Sequence, residues 1–286
     1  MHMTDLQPRP DADGAWLAPA KLNLMLRVLG RRADGYHRLQ TVFQFIDRAD
    51  RLRFARRHDA RVVRVHGADG VPPEQDLVVR AAQALRAETG CDYGVEIELD
   101  KVLPMGGGLG GGSSDAATTL HALNREWELG LSTDSLAHIG LRLGADVPVF
   151  VRGRAAWAEG VGEEMVAVSL PEPWYLVLVP PVAVSTAAVF NDPDLTRDSL
   201  PITMESFVAG NQVNDCLPVV RRRYPAVAAA FDWLSDVGAV ARLTGTGACV
   251  FGRFPTEADA RAVLAHAPAG LSAFVARGCN RSPLFG

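Results

Sequence analysis

Residues 103–120 read LPMGGGLGGGSSDAATTL, with six glycines among the seven positions 106–112 and helical composition from the serines on. Glycine ordered in a fold costs backbone entropy, so a run this dense marks a backbone that closely approaches something. Three phosphate-binding patterns overlap on it. Gly106-x-Gly108-x-x-Gly111 satisfies G-x-G-x-x-G, but in such a run the match is almost automatic. The following helix also leads into a second helix, STDSLAHIG, where a dinucleotide fold needs a strand. Gly107-x-x-x-x-Gly112 fits the start of a Walker A loop with Ser114 at its hydroxyl position, yet Ser113 stands where that loop needs lysine. Neither H-R-D nor D-F-G of the protein kinases occurs. The third pattern is Pro-x-Gly-x-Gly-Leu-Gly-Gly-Gly-Ser-Ser between a strand, VEIELD, and a helix. There, backbone N–H groups without Cβ atoms close around phosphate oxygens, and the positive end of the helix points at the same anion. A Gly/Ser linker is the plain alternative, and Leu109 in mid-run speaks against it.

The composition fits small-molecule chemistry. At 48% hydrophobic and 22% charged the chain is an ordinary globular one, long enough for one large domain or two of usual size. A net charge of −4 supplies no global reason to bind nucleic acid or an anionic membrane. The four cysteines (Cys91, Cys216, Cys249, Cys279) form no CxxC pair, which fits neither zinc nor a disulfide framework and suits a reducing cytoplasm. Residues 1–15 are polar and proline-rich and read as a flexible tail. The most apolar stretch, WYLVLVPPVAVSTAAVF, is broken by Pro180 and Pro181 and is too short to span a membrane.

KLNLMLRVL alternates as a half-buried strand does, and the Asp-Gly of RRADGYH turns the chain into further strand-like segments, LQTVFQFID and DRLRFARR. ARVVRVHG and YGVEIELD read as strands, DLVVRAAQALRAETG as a helix stopped at Gly90, and STDSLAHIGLRLG as a helix capped by Ser132 or Thr133. From about residue 170 the pattern restarts. WYLVLVP is a strand, helical stretches follow around 203–209, 212–222 and 225–236, and strands flank LTGTGACVFG. TEADARAVLAHAP then reads as a helix and LSAFVARGC as a strand. The expectation is two α+β halves, 16–168 and 169–286, joined near residues 155–172.

The glycine-rich loop resembles the second motif of the GHMP kinases, the small-molecule kinases of galactose, homoserine, mevalonate and phosphomevalonate. APAKLNLML (18–26) resembles their first motif and LTGTGACVFG (243–252) their third, and three motifs in order are far more specific than one. GRRADGYHRLQTVFQFID, LGADVPVFV and NRSPL extend the resemblance from about Ala18 to Leu284, toward a branch whose acceptor is a methylerythritol linked to cytidine diphosphate. The resemblance implies a ribosomal-protein-S5-like N-terminal domain, a ferredoxin-like C-terminal domain and an active site between them. It also implies ATP and magnesium as cofactors, and small molecules rather than nucleic acid or membrane as partners. Monomer and homodimer both stay open. A kinase acting on another acceptor and a non-catalytic nucleotide- or RNA-binding module are the competing readings; the acidic charge and the coexistence of Lys21 with Asp146 disfavour the module.

Asp146, after Gly144 and before Pro148, is placed to project a carboxylate into a cleft, and the resemblance makes it the base that takes the hydroxyl proton. The bland reading is a turn Asp bonded to its own backbone. Lys21, at the start of an apolar strand, would hold that carboxylate ionised. Asn23, two residues on along the same strand face, is expected to orient substrate. Tyr36 and His37 sit on a turn, where binding residues often lie; the resemblance implies that they hold cytosine, with Phe190 on the ring's other face. ATP phosphates would lie on Pro104, Met105, Gly106, Gly107, Gly108, Leu109, Gly110, Gly111, Gly112, Ser113 and Ser114, with Lys101 and Met105 bordering adenine. Thr246 and Gly247 would bring N–H groups to the substrate phosphates. Magnesium ligands are not identified, Ser114 being the one candidate, and Asp115 complements the helix dipole. One departure is Asp76, where the family commonly carries Asn: an ionised Asp accepts hydrogen bonds and cannot donate them.

Overall fold

The computed structural model describes residues 7–33 and 35–286. The expected tail over 1–15 begins with six residues outside the described ones. From residue 7 the chain is anchored: Pro8 is buried, and Asp11 accepts the Ala15 N–H and pairs with Arg51 at 2.8 Å.

β1 (Trp16–Arg31) and β2 (His37–Arg57) form a long antiparallel hairpin, from Trp16 opposite Leu52 to Arg31 opposite His37. The two strand-like segments after the turn are thus one strand. β1 is buried on both faces rather than one, because Ala18 joins the core of the first half while Leu22, Leu24 and Met25 pack toward the second. β3 (Val62–His66) lies parallel to β4 (Gly94–Asp100), which pairs with β2. Over this sheet pack α1 (Leu77–Thr89), α2 (Gly111–Glu126), α3 (Thr133–Leu143) and α4 (Val147–Arg152). α1 stops at Gly90 in the left-handed conformation, and Ser132 caps α3 by accepting the Ser135 N–H. β5 (Ala156–Glu159) and β6 (Glu164–Ala167) form a hairpin, and β5 pairs with β2.

The second half holds β7 (Trp174–Val179), α5 (Thr186–Phe190), α6 (Met204–Val208), α7 (Leu217–Arg223) and α8 (Pro225–Asp236). β8 (Arg242–Leu243), β9 (Val250–Phe254), α9 (Glu257–Leu264) and β10 (Ser272–Cys279) follow. The helix expected over 212–222 starts only at Leu217. Residues before it run extended along β1, where Leu26 N–H donates to Val213 O and Asn214 bridges Leu26. β10 joins the halves: Ser272–Arg277 pair with β7, whereas Gly278 and Cys279 pair with Ile46 and Phe45 of β2. Each half has its own core, and a third cluster, including Leu22, Leu109, Tyr175 and Phe251, packs between them. Asn280 of NRSPL holds this junction, its side chain bonding both the N–H and the carbonyl of Leu170. All four cysteines are free, with Cys216 and Cys249 buried. Among the described residues no helix is long and apolar enough to cross a membrane.

Candidate active site

The first and last glycine loops meet at the mouth of a cleft of about 560 Å³, lined among others by Lys21, Asp146, Phe190 and Thr246. What the glycines approach is chiefly the other loop. Ala248 and Cys249 donate their N–H groups to the carbonyls of Gly106 and Gly107, and Thr244 Oγ1 donates to Gly108 O at 3.0 Å. Gly108 has φ +76°, and a Cβ there would overlap Thr244 O and stand 3.1 Å from Gly247 O. Gly110, with φ +73°, is the N-cap of α2, and a Cβ there would lie 2.7 Å from the Phe150 ring. No side chain caps α2. Its first-turn N–H groups therefore need an outside acceptor, and Gly111, Gly112 and Ser113 line the cleft. The helix begins two residues before the serines, so the last two glycines are its first turn. Pro104, Met105 and Leu109 also line the cleft.

Lys21 of β1 is buried, and its ammonium lies 3.2 Å from Asp146 Oδ2. It also donates to Asn23 Oδ1 at 2.5 Å and Gly108 O at 3.1 Å, which matches its three N–H donors with three acceptors. Asp146 precedes α4 and makes no side-chain cap bond; its carboxylate is 37% exposed, reaching Lys21 and the cleft. The self-bonded turn Asp is therefore not what forms. Asn23 differs from expectation. Its Oδ1 is taken by Lys21 and its Nδ2 by Thr41 Oγ1 at 2.9 Å, so its carboxamide orients Lys21 rather than a ligand. Thr41 passes the chain on to Met25 O.

Lys101 stands between two buried carboxylates, 2.5 Å from Asp50 Oδ2 and 2.6 Å from Asp115 Oδ2. Asp50 Oδ1 also accepts the N–H groups of Val102 and Leu103, fixing the start of the loop. Burial pushes the Asp115 carboxyl well above the usual range, and Asp50 adds to this against the pull of Lys101. The two carboxylates raise Lys101 in spite of its own burial. Lys101 still lines the cleft, but as a locked ion pair. Ser114 Oγ and Asp115 Oδ1 are buried without a hydrogen-bond partner among the described residues.

At the other end, His37 and Phe190 stack with ring centroids 5.0 Å apart and planes at 23°. A base sandwiched between them needs about twice a stacking distance, so His37 can meet a base only at its edge. Tyr36 lies on the turn, 63% exposed. In the third motif, Thr246 lines the cleft and its hydroxyl meets Thr186 Oγ1 at 2.9 Å. Gly247 is a correction: its N–H donates to Thr244 O inside the loop, so it has none left for a phosphate. Asn214 braces this loop by donating to Leu243 O and Gly245 O. Asp76 caps α1 through the Val78 N–H and pairs with Arg64, while remaining on the cleft wall. Of the remaining histidines, His121 is buried and bonded to Val151 O, His66 and His138 are exposed, and His58 meets Tyr93 edge-on. The described residues hold no group of three potential metal ligands.

Asp50, Thr41, Thr244, Asn214 and Arg64 are site-building residues that motif reading passed over. For Asp50 a signal existed: it shares the inward phase of β2 with Leu52, where a charged residue is out of place.

Comparison with known proteins places the chain in a family. The family model for the GHMP kinases N terminal domain matches residues 76–154, and that for GHMP kinases C terminal matches residues 201–273. A 4-diphosphocytidyl-2-C-methyl-D-erythritol kinase of Pseudomonas paraeruginosa is 59% identical over 93% of this chain and 94% of its own. That of Pseudomonas savastanoi pv. phaseolicola is 56% identical over 99% of this chain and 98% of its own. A crystal structure of 4-(cytidine 5'-diphospho)-2C-methyl-D-erythritol kinase superposes with a TM-score of 0.79 at 33% identity, over 92% of this chain and 98% of that one. The expected α+β two-domain fold is thus borne out, and the chain belongs to the GHMP kinase family.

Proposed function

We propose that the protein transfers the γ-phosphoryl group of ATP to the 2-hydroxyl of 4-diphosphocytidyl-2-C-methyl-D-erythritol, a step of non-mevalonate isoprenoid biosynthesis. The observation that carries it is the Lys21–Asp146 pair, 3.2 Å apart where the two glycine loops meet. Close identity to kinases of that name supports the acceptor. Asp146 accepts the proton as the substrate hydroxyl attacks; the new O–P bond forms as the bond to the ADP leaving group breaks. Lys21 holds the Asp146 carboxylate in place and meets the negative charge that develops on the attacking oxygen. Asn23, Thr41 and Gly108 O hold Lys21 in place.

The uncapped first turn of α2 and the glycine backbone fit a triphosphate, with residues 104–114 as its seat. Lys101 and Met105 border the adenine. Ser114, the one candidate for a magnesium ligand, is fully buried and does not line the cleft, so the ion would rely on phosphate oxygens and water. When bound, magnesium neutralises phosphate charge. Tyr36, His37 and Phe190 take the cytosine end, and Thr246 the substrate phosphates. Residues 16–168 form the ATP-binding domain and 169–286 the second. Four free thiols suit the cytoplasm.

The test is ATP- and magnesium-dependent phosphorylation of the cytidyl-diphosphate substrate against mevalonate and homoserine. Turnover of the first alone is expected. Turnover of another acceptor without the first refutes the assignment.

A further inference from the structure

We propose that Arg64 is a positioning residue for the nucleotide: it ties the loop 67–72 to the start of α1 and so holds the wall against which the nucleoside of ATP packs. This rests on reading residues 104–114 as the triphosphate seat. The first turn of α2 has two flanks. A Cβ on Gly110 would stand 3.1 Å from Lys21 Cε, whereas one on Gly112 would stand 3.5 Å from Leu77 Cδ1 of α1. A triphosphate whose reacting end meets Lys21 and Asp146 therefore directs its nucleoside toward α1 and the residues before it. Ala68, Val71, Gln75, Asp76 and Leu77 line the cleft on that flank.

Within residues 67–72 the one backbone hydrogen bond among the described residues runs from the Val71 N–H to Ala68 O at 3.3 Å. The loop curls round a hollow of about 460 Å³ lined by residues 64–72, so no other element fills it from within. Arg64 of β3 supplies the tie. Its Nη2 donates to Val71 O at 2.7 Å and its Nη1 to Asp76 Oδ2, while Asp76 Oδ1 accepts the Val78 N–H at 3.1 Å as the cap of α1. Both side chains are nearly buried. A planar guanidinium holds two acceptors at a fixed spacing, which an ammonium does not. Gly67 passes over the Arg64 stem, where a Cβ would overlap Cδ and Nε. Asp at position 76 has its reason here, because an acceptor-only carboxylate matches a donor-only guanidinium. Arg64 itself stands behind the wall and does not line the cleft. Without it the arriving nucleotide has to order the loop, which weakens binding.

The experiment compares the full-length wild type with R64M, R64K and D76N/R64M. Calorimetric titration with ADP and with inorganic tripolyphosphate separates the nucleoside wall from the phosphate seat. Steady-state kinetics with ATP and the cytidyl substrate separates KM from kcat, and thermal unfolding reads stability. In R64M the ADP affinity and the KM for ATP should worsen by about tenfold, while tripolyphosphate affinity and kcat stay within about twofold. R64K should fall between R64M and wild type. D76N/R64M carries no stranded carboxylate and keeps a capping side chain, so it should melt nearer the wild type than R64M does, with its KM for ATP still raised. Recovery of KM together with the melting temperature overturns the inference, because Arg64 would then only balance a charge. An R64M KM within about twofold of wild type overturns it too, as does a loss of tripolyphosphate affinity equal to that of ADP. If R64M does not fold, D76N/R64M and R64K decide. A wild type that binds ADP as tightly as R64M does overturns the inference and leaves the proposed function standing; a wild type that does not bind ADP overturns both.

Discussion

Replacing Gly108 by alanine tests the interlocked loops most directly. Gly108 has φ +76°, a conformation that costs an L-residue about 1–2 kcal/mol. The new methyl group would overlap Thr244 O, a backbone atom with no rotamer to move into, and would stand 3.1 Å from Gly247 O. The loops must separate. That breaks the 3.0 Å bond from Thr244 Oγ1 to Gly108 O and the 3.1 Å bond from Lys21 to the same carbonyl. A neutral bond is worth about 1 kcal/mol and one to a charged group about 1.5–3, so the whole change costs about 3–6 kcal/mol. At this chain length that lowers Tm by roughly 5–10 °C. Lys21, released on one side, shifts against Asp146, and a misplacement of about 1 Å costs about 10²-fold in rate. Thermal unfolding followed by circular dichroism reads the first effect, and steady-state kcat/KM with ATP and the cytidyl substrate reads the second. An alanine variant that melts with the wild type and turns over within about threefold of it refutes the interlock.

Asp146→Asn, which keeps shape and removes the proposed base, should lower kcat by about 10²–10⁴ while ATP titration shows unchanged affinity; near-normal turnover rules out the base role. Asp50→Ala removes the acceptor for the Val102 and Leu103 N–H groups and leaves Lys101 with one carboxylate, at a cost of about 3–5 kcal/mol in urea unfolding. A loss below about 1 kcal/mol would contradict that. His121 is buried with its Nε2–H on Val151 O, and burial holds its pKa below the unfolded value of about 6.5. The unfolded chain therefore takes up the proton first as pH falls, and the contribution is lost from about pH 7 downward. Melting curves at pH 7 and pH 5 should show His121→Gln losing less stability than wild type over that interval; equal losses would exclude the linkage.

Much of this arrangement is legible in the chain because its signals are local. Alternation in KLNLMLRVL gives a strand, Gly90 stops α1, and the missing lysine at Ser113 removes the P-loop. The spacing of Lys21 and Asn23 puts them on one strand face, and they meet there at 2.5 Å. What they do with each other is not local. Periodicity cannot say that Asn23 is used up on Lys21 and Thr41, because Thr41 arrives from the partner strand. The pairing of Lys21 with Asp146 depends on α4 docking against the hairpin, and only resemblance to a known family brought the two together beforehand. Gly247 reads as a phosphate contact because glycine-rich loops usually are; its N–H is turned inward by the loop's own closure. Arg64 lies in ARVVRVHG, where neither periodicity nor a motif distinguishes a structural clip from a solvated arginine.

The placement of β10 bears on how the molecule comes to exist at all. It follows every other strand in the chain, yet it sits between β2 and β7 in the sheet. The seam between the two halves therefore waits for it. Early strands can pair and bury their own core during synthesis, but β2 keeps a bare edge at Phe45 and Ile46, and β7 keeps another, until the late strand arrives to fill both. Contacts so distant along the chain form slowly. Lys21 and the first glycine loop belong to what is made early, whereas the loop that locks onto Gly108 is made shortly before β10. A nascent chain thus carries Lys21 and Asp146 long before it carries the loop that closes the cleft over them.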